Sequence, residues 1–195
     1  DAVYDGQLHP EKDNQKQALI LSDNAHPSLM ENGIQFIPAN HQGCGQKSEE
    51  EGRIVRELYL SLLEQSYRNR DGNVKPMSHE NILVVAPYNT QVNYLKSILP
   101  ENAKVGTVDK FQGQEAEVVL VSMTTSSGED LPRNLEFLYS KNRLNVAISR
   151  ARTLAAVVAN PKLLEIPCSN IEQMCLVNTL CWAKMFAVEL TEFIS

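Results

Sequence analysis

Two stretches of this 195-residue chain concentrate side chains able to handle phosphate. The first is Val105-Gly106-Thr107-Val108-Asp109-Lys110-Phe111-Gln112-Gly113-Gln114-Glu115. Here a strand ends, a glycine permits close backbone approach, and the carboxylate of Glu115 follows Gly113 by two residues. Backbone N–H groups in such a turn, with one acid, can hold a phosphate or a ribose hydroxyl. A solvated loop whose glycine serves a positive φ explains the same residues equally well.

The second stretch is Ser140-Lys141-Asn142-Arg143-Leu144-Asn145-Val146-Ala147-Ile148-Ser149-Arg150-Ala151-Arg152. Read as a helix, it is capped by Ser140 and buries Leu144, Ala147, Ile148 and Ala151. Arg143 and Arg150 then share one flank of that stripe, and Arg152 falls on the other. Guanidinium groups held beside a rigid core face can grip a phosphate in fixed geometry. For a generic helix, two solvated surface arginines in weak salt bridges are the better explanation.

The elements that must position these residues alternate between two patterns. Glu49–Arg68 has apolar residues at Ile54, Val55, Leu58, Leu62 and Leu63, which is helical spacing, and Thr90–Leu99 repeats it with Val92, Leu95, Ile98 and Leu99. Short strands, apolar or nearly so, are predicted over Ile82–Val85, Lys104–Val108, Val118–Val121 and Leu154–Ala159. Such strands between helices imply a parallel α/β sheet covered on both faces. Residues 1–50, broken by Pro10, Pro27, Pro38, Gly33, Gly43 and Gly45, read as an irregular segment leading into the domain, with a short strand at Gln35–Pro38. Residues 51–195 read as the domain proper. Arg68–Pro76 reads as a turn-rich connection, and Ile171–Leu190 as a closing helix. In an open parallel sheet ligands meet the carboxyl ends of the strands. That rule directs attention to Ala86–Gln91, Asp109–Glu115 and Thr124–Pro132.

Taken together, the two stretches resemble motifs V and VI of superfamily 1 helicases. They are most similar to the 1B branch, which includes the nonsense-mediated-decay helicase and the Okazaki-fragment nuclease-helicase. Val84-Val85-Ala86-Pro87-Tyr88-Asn89-Thr90-Gln91 resembles the short motif that precedes them in that branch, and all three occur in the family's order. The resemblance is strongest over about residues 80–165. Fainter echoes are Tyr4-Asp5-Gly6-Gln7-Leu8 and the helix start Ser48-Glu49-Glu50-Glu51. Ser122–Arg152, with Phe137-Leu138-Tyr139-Ser140, is similar to a bacterial group in which a RecB-like nuclease domain precedes the helicase.

The resemblance implies a RecA-like α/β fold, the second motor domain of an ATP-dependent DNA helicase. ATP with Mg2+ would lie against an N-terminal RecA-like domain of the same polypeptide, which supplies the phosphate loop and the metal-binding carboxylate. This chain would supply Arg150 as the arginine finger on the γ-phosphate. Glu115 would accept the ribose hydroxyls, Gly113 would admit the nucleotide backbone, and Gln112 and Arg143 would line the site. Single-stranded DNA, or RNA in the alternative, would run over Thr107, with Tyr88, Asn89, Thr90 and Thr124 as further contacts.

The chain departs from a whole motor. It has no G-x-x-x-x-G-K-[ST] loop: in Gly43-Cys44-Gly45-Gln46-Lys47-Ser48 a glutamine separates Gly45 from Lys47, and the segment reads as a plain loop. It has no Asp-Glu magnesium motif, and the family's aromatic-Arg motif would lie ahead of Tyr4. The expectation is a fragment of a longer chain, inactive alone.

Net charge is −6, which by itself argues against a nucleic-acid binder. A locally basic surface remains compatible with it. Four cysteines without a C-x-x-C pair argue for free thiols, no zinc and a cytosolic setting. No apolar run is long enough to span a membrane. His9, His26, His41 and His79 read as scattered loop residues, Trp182 as core, and Glu129 with Asp130 as a loop pair. Two other classes stay open: a non-catalytic single-strand-binding module, and a protein-interaction platform on a degenerate fold.

Overall fold

Ile82-Leu83-Val84-Val85 carries no polar side chain because both of its faces are covered. The computed structural model describes residues 17–130 and 146–165. In chain order its elements are β1 (Ala18–Ile20), β2 (Gly33–Pro38), α1 (Glu49–Leu63), β3 (Ser66–Arg68), β4 (Val74–Pro76) and β5 (Ile82–Val85). They continue with α2 (Asn89–Ile98), β6 (Lys104–Gly106), β7 (Ala116–Ser122) and β8 (Ala151–Ala159). Five strands form one sheet in the order β2-β8-β7-β5-β6, and every pairing in it is parallel.

Alternate residues of each strand feed opposite faces. On one face Val84, Val118, Leu120, Leu154 and Ala156 pack with Val55, Leu58 and Leu62 of α1 and Val92 and Leu95 of α2. On the other, Leu83, Val85, Val119, Val121 and Val157 meet Tyr88, Phe111, Ala147 and Leu163. This is the α/β, RecA-like architecture implied by the apolar strands.

Several expected boundaries move. The helix over Glu49–Arg68 stops at Leu63, and the supposed turn region holds a hairpin. Asn69 organises its tip by accepting the N–H groups of Asp71 and Asn73 on Oδ1. Strand β1 pairs with β3, so β1-β3-β4 makes a small antiparallel sheet. Residues 1–50 are therefore more than an irregular lead-in: β2 forms an outer strand of the main sheet, registered with β8 from Gly33↔Leu154 to Pro38↔Ala159. Proline and glycine only bound that strand, so their presence misled.

Residues 146–149 are helical, but Arg150 is a turn and Ala151 already opens β8. The helix expected through Arg152 is thus cut short, because β8 pairs with β7 from Ala151 onward and with β2 from Leu154. Arg143, Ser140, Tyr4–Leu8, Trp182, His9, the Ile171–Leu190 helix and Cys168, Cys175 and Cys181 lie outside the described residues. Among the described residues no helix is long and apolar enough to cross a membrane.

Candidate functional site

The segment after β6 has to travel. Gly106 is level with Val85, and Val85 with Val121, near the carboxyl end of the sheet. Ala116, where the chain re-enters the sheet, lies five residues before Val121 along the strand, about 16 Å away at about 3.3 Å per residue. Thr107–Glu115 therefore spans the sheet from its carboxyl edge to its amino edge. Of the residues singled out after β6, Thr107 stands at the carboxyl edge, whereas Glu115, next to Ala116, stands at the amino edge, with Gln112 and Gly113 on the crossing between.

The crossing begins with a tight turn. Thr107 leads a single 3-10 turn, Val108–Phe111, and Lys110 N–H donates to the Thr107 carbonyl at 3.1 Å. Gly106 makes the turn close: a Cβ would displace the Lys110 side chain, 2.5 Å away at Cδ, and press on the Phe111 ring at 3.2 Å. Phe111 is buried and pins the turn to the lower core. Gln112, Gly113 and Glu115 are exposed, and Gly113 has φ +80, with open space where a Cβ would sit.

At the amino edge this segment meets the start of β8. Ala116 N–H donates to the Arg150 carbonyl at 3.0 Å. Arg152 Nε donates to Glu115 Oε2 at 3.1 Å, and its Nη1 lies 3.5 Å from Glu117 Oε1. Glu117 is nearly buried, with only 7% of its side chain exposed, and burial pushes its carboxyl up against the opposing pull of Arg152. The hydrogen bond to Glu115 holds the Arg152 guanidinium above its usual range. Arg150 differs from Arg152: its Nε is buried and has no hydrogen-bond partner among the described residues. A buried donor left unpaired is costly, and an oxygen-rich ligand would satisfy it.

The carboxyl edge holds the other candidates, in unequal states. Asn89 and Thr90 open α2 and are exposed. Thr90 Oγ1 lies 3.5 Å from Gln46 Oε1. Tyr88 is buried in the core with Phe111. Thr124 is also fully buried and sits at φ +67, an unusual backbone for a β-branched residue. Its hydroxyl donates to the Met123 carbonyl at 2.6 Å, and its N–H to Glu51 Oε2 at 2.8 Å. Thr124 therefore faces the interior and presents no hydroxyl to solvent.

What sequence reasoning missed is the polar cluster beneath this edge. His41 is no scattered loop residue: its Nε2 lies 2.9 Å from Glu51 Oε1 and its Nδ1 2.7 Å from Ser126 Oγ, with all three residues buried. Ser122 Oγ donates to Glu51 Oε2 at 2.6 Å, and Gln91 Nε2 donates to Ser122 Oγ at 3.0 Å. Gln91 also brackets Ser48, accepting its N–H and donating to its carbonyl. The available signal was Glu51, placed at the third position of a helix behind the cap Ser48, where helical phase turns it inward. The Gly43–Ser48 loop lies over the end of β7, tied down by Cys44 and Gly45 to Ser126 and Thr125. Among the described residues no three His, Cys, Asp or Glu side chains gather to hold a metal ion.

Comparison with known proteins agrees with the α/β fold. A family profile described as "AAA domain" matches residues 1–162. The chain is 30% identical over 185 residues to the probable RNA helicase armi of Drosophila melanogaster, covering 84% of this chain and 15% of that protein. It is 28% identical over 213 aligned residues to the DNA polymerase alpha-associated DNA helicase A of Schizosaccharomyces pombe, covering 100% of this chain and 28% of that protein. An ATP-dependent helicase of Methanocaldococcus jannaschii is 38% identical over 85 residues, 42% of this chain and 12% of that protein. The chain thus spans a small part of the relatives it matches.

Proposed function

The chain belongs to the AAA-domain family and is a superfamily 1 helicase domain, and from that premise we propose that it is the second RecA-like half of an ATP-driven DNA translocase. The observation that carries this reading is the Ala116–Arg150 backbone hydrogen bond, which sets Arg150 beside the end of the Gly113–Glu115 segment at the amino edge, the opposite edge of the sheet from Thr107. A motor needs two faces, one for nucleotide and one for strand, joined by a short segment that can transmit strain. Thr107–Glu115 is such a segment.

The residues fit a nucleotide in chemical terms. The buried, unpartnered Nε of Arg150 suits a phosphate oxygen. Glu115 is exposed and bonds Arg152 through one oxygen, which leaves its other oxygen for ribose hydroxyls. Gly113, with open space at its Cα, and Gln112 beside it admit close backbone approach. Arg150 would neutralise charge developing on the transferred phosphoryl, the main service a finger performs. Phosphate-loop and Mg2+ ligands would come from a companion RecA-like domain, so the isolated chain would not hydrolyse ATP. A RecB-like nuclease in the same polypeptide belongs to this reading, through the resemblance of Ser122–Arg152.

Single-stranded DNA is the proposed track, held by hydroxyl and backbone groups at Thr107, Asn89 and Thr90 without base readout. RNA is the second reading, favoured by the name of the Drosophila relative. The test is ATP hydrolysis by the full-length protein with and without oligodeoxythymidylate or oligouridylate. Stimulation by the deoxy strand supports the proposal, stimulation by the ribo strand alone assigns RNA, and hydrolysis indifferent to both removes the translocase reading.

A further inference from the structure

Glu51 and Gln91 are fully buried polar side chains in the first turns of two different helices, and neither approaches the Glu115–Arg150 cluster. Together they tie four segments at the carboxyl edge. Glu51 takes Ser122 Oγ and Thr124 N–H on one oxygen and His41 on the other. Gln91 holds Ser48 and Ser122. Asn160, just past β8, joins by donating to the His41 carbonyl at 2.6 Å. The donors and acceptors form a chain: Cys44 N–H donates to Ser126 Oγ, whose O–H can donate to His41 Nδ1, leaving the Nε2 proton for Glu51.

Apolar side chains of similar volume would fill this space at lower desolvation cost. The polar set instead gives a defined geometry, and it holds Thr124 in a left-handed conformation that a β-branched residue avoids. Directly above it are the exposed Asn89 and Thr90, and Gln46 of the overlying loop. We propose that Glu51 and Gln91 are positioning residues for single-strand binding. They lock the start of α2 and the Gln42–Lys47 loop onto the ends of β7 and β8, so that Asn89 and Thr90 meet the strand backbone in a preset arrangement. Neither residue touches the strand. The inference rests on the carboxyl edge being the strand-binding face.

The experiment uses the full-length protein and measures affinity for labelled oligodeoxythymidylate and oligouridylate, affinity for a fluorescent ATP analogue, and melting temperature. Gln91→Ala is expected to weaken strand binding by about tenfold while nucleotide affinity stays within about twofold. Ser122→Ala, a milder cut in the same set, should weaken it about threefold and guards against a misfolded Gln91 variant. Glu51→Gln should keep strand affinity close to wild type: its amide oxygen still accepts from Ser122 and Thr124, and its NH2 can meet the other His41 tautomer. A lowered melting temperature with unchanged strand affinity in the folded variants would make the cluster structural only and overturn the inference. Wild-type protein that binds neither oligonucleotide would instead remove the functional reading beneath it.

Discussion

Ala116 and Arg150 share a backbone hydrogen bond of 3.0 Å, with Ala116 N–H donating to the Arg150 carbonyl. The bond belongs to the Ala116↔Ala151 pairing at the amino end of the β7–β8 ladder. It fixes the residue that ends the Thr107–Glu115 crossing against the residue that ends the 146–149 helical turn. Any shift of the crossing must then move the backbone of Arg150. The proposed strand-binding edge and the proposed phosphate-contacting edge are thereby joined by a segment nine residues long, from Thr107 to Glu115.

Arg150 is the first residue to test. In the full-length protein Arg150→Ala should reduce strand-stimulated ATP hydrolysis by on the order of 10³-fold while nucleotide affinity changes little, because a finger acts on charge that develops in the transition state. Arg150→Lys should recover little, since an ammonium lacks the fork of a guanidinium. Single-turnover hydrolysis beside equilibrium nucleotide binding checks both. A kcat within a few-fold of wild type would move the role elsewhere, with Arg143 next in line.

Glu115 makes a different prediction. Its carboxylate is proposed to accept ribose hydroxyls, so Glu115→Ala should raise KM for ATP about tenfold with a smaller effect on kcat, the pattern of lost ground-state binding. Discrimination between ATP and its 2′,3′-dideoxy analogue should shrink in parallel. Equal discrimination in wild type and variant would leave Glu115 as a partner of Arg152 alone.

Glu117 gives a pH-dependent outcome. Burial raises its carboxyl above the ordinary value of 4.5, so the charged form is disfavoured in the folded state. The sign follows: the fold is best served when Glu117 is protonated, and that advantage is lost as pH rises through the elevated folded value. Glu117→Gln, neutral at every pH, should therefore melt higher than wild type at pH 7. The gap should narrow as pH falls through the elevated folded value and close below the ordinary value of 4.5, where the wild-type carboxyl is protonated folded and unfolded alike. Thermal melts across that range decide it; a variant melting lower at pH 7 would mean that the Arg152 contact outweighs burial.

The parallel sheet was legible because Ile82–Val85 and Val118–Val121 carry no polar side chain, which only coverage on both faces allows. The residues of the amino-edge cluster were legible as types, through Gly113, Glu115 and Arg150, but their edge was not. Nothing in the local pattern of Thr107–Glu115 says that the chain must cross the sheet; that follows from β6 and β7 being parallel and from β5 lying between them. Arg152 was assigned to a helix flank because Ala147, Ile148 and Ala151 keep helical spacing, and pairing of the start of β8 with β7 overrode it. The His41–Glu51 pair was illegible since its partners are brought together only by the fold: Ser126 lies 85 residues from His41.

Thr107 and Thr124 were both expected to contact a strand, and the structure separates them. Thr107 is half-buried beside the carboxyl end of β6, and its side chain makes no capping hydrogen bond to the turn it leads. Thr124 is buried and hydrogen-bonded inward. Thr107→Ala should therefore weaken single-strand binding by about threefold to tenfold, the scale of one ordinary hydrogen bond, with melting temperature nearly unchanged. Thr124→Val should do the reverse. It removes the buried hydroxyl's hydrogen bond to the Met123 carbonyl, which keeps only the Thr125 N–H, and leaves a β-branched side chain at positive φ, costing about 1 kcal/mol of stability. Thr124→Gly should cost less, because glycine accepts the left-handed backbone and offsets part of the lost hydrogen bond. Labelled-strand titrations and thermal melts on the three full-length variants separate the roles. Thr107→Ala binding strands as tightly as wild type would leave Thr107 as a turn residue and shift the contact to Asn89 and Thr90.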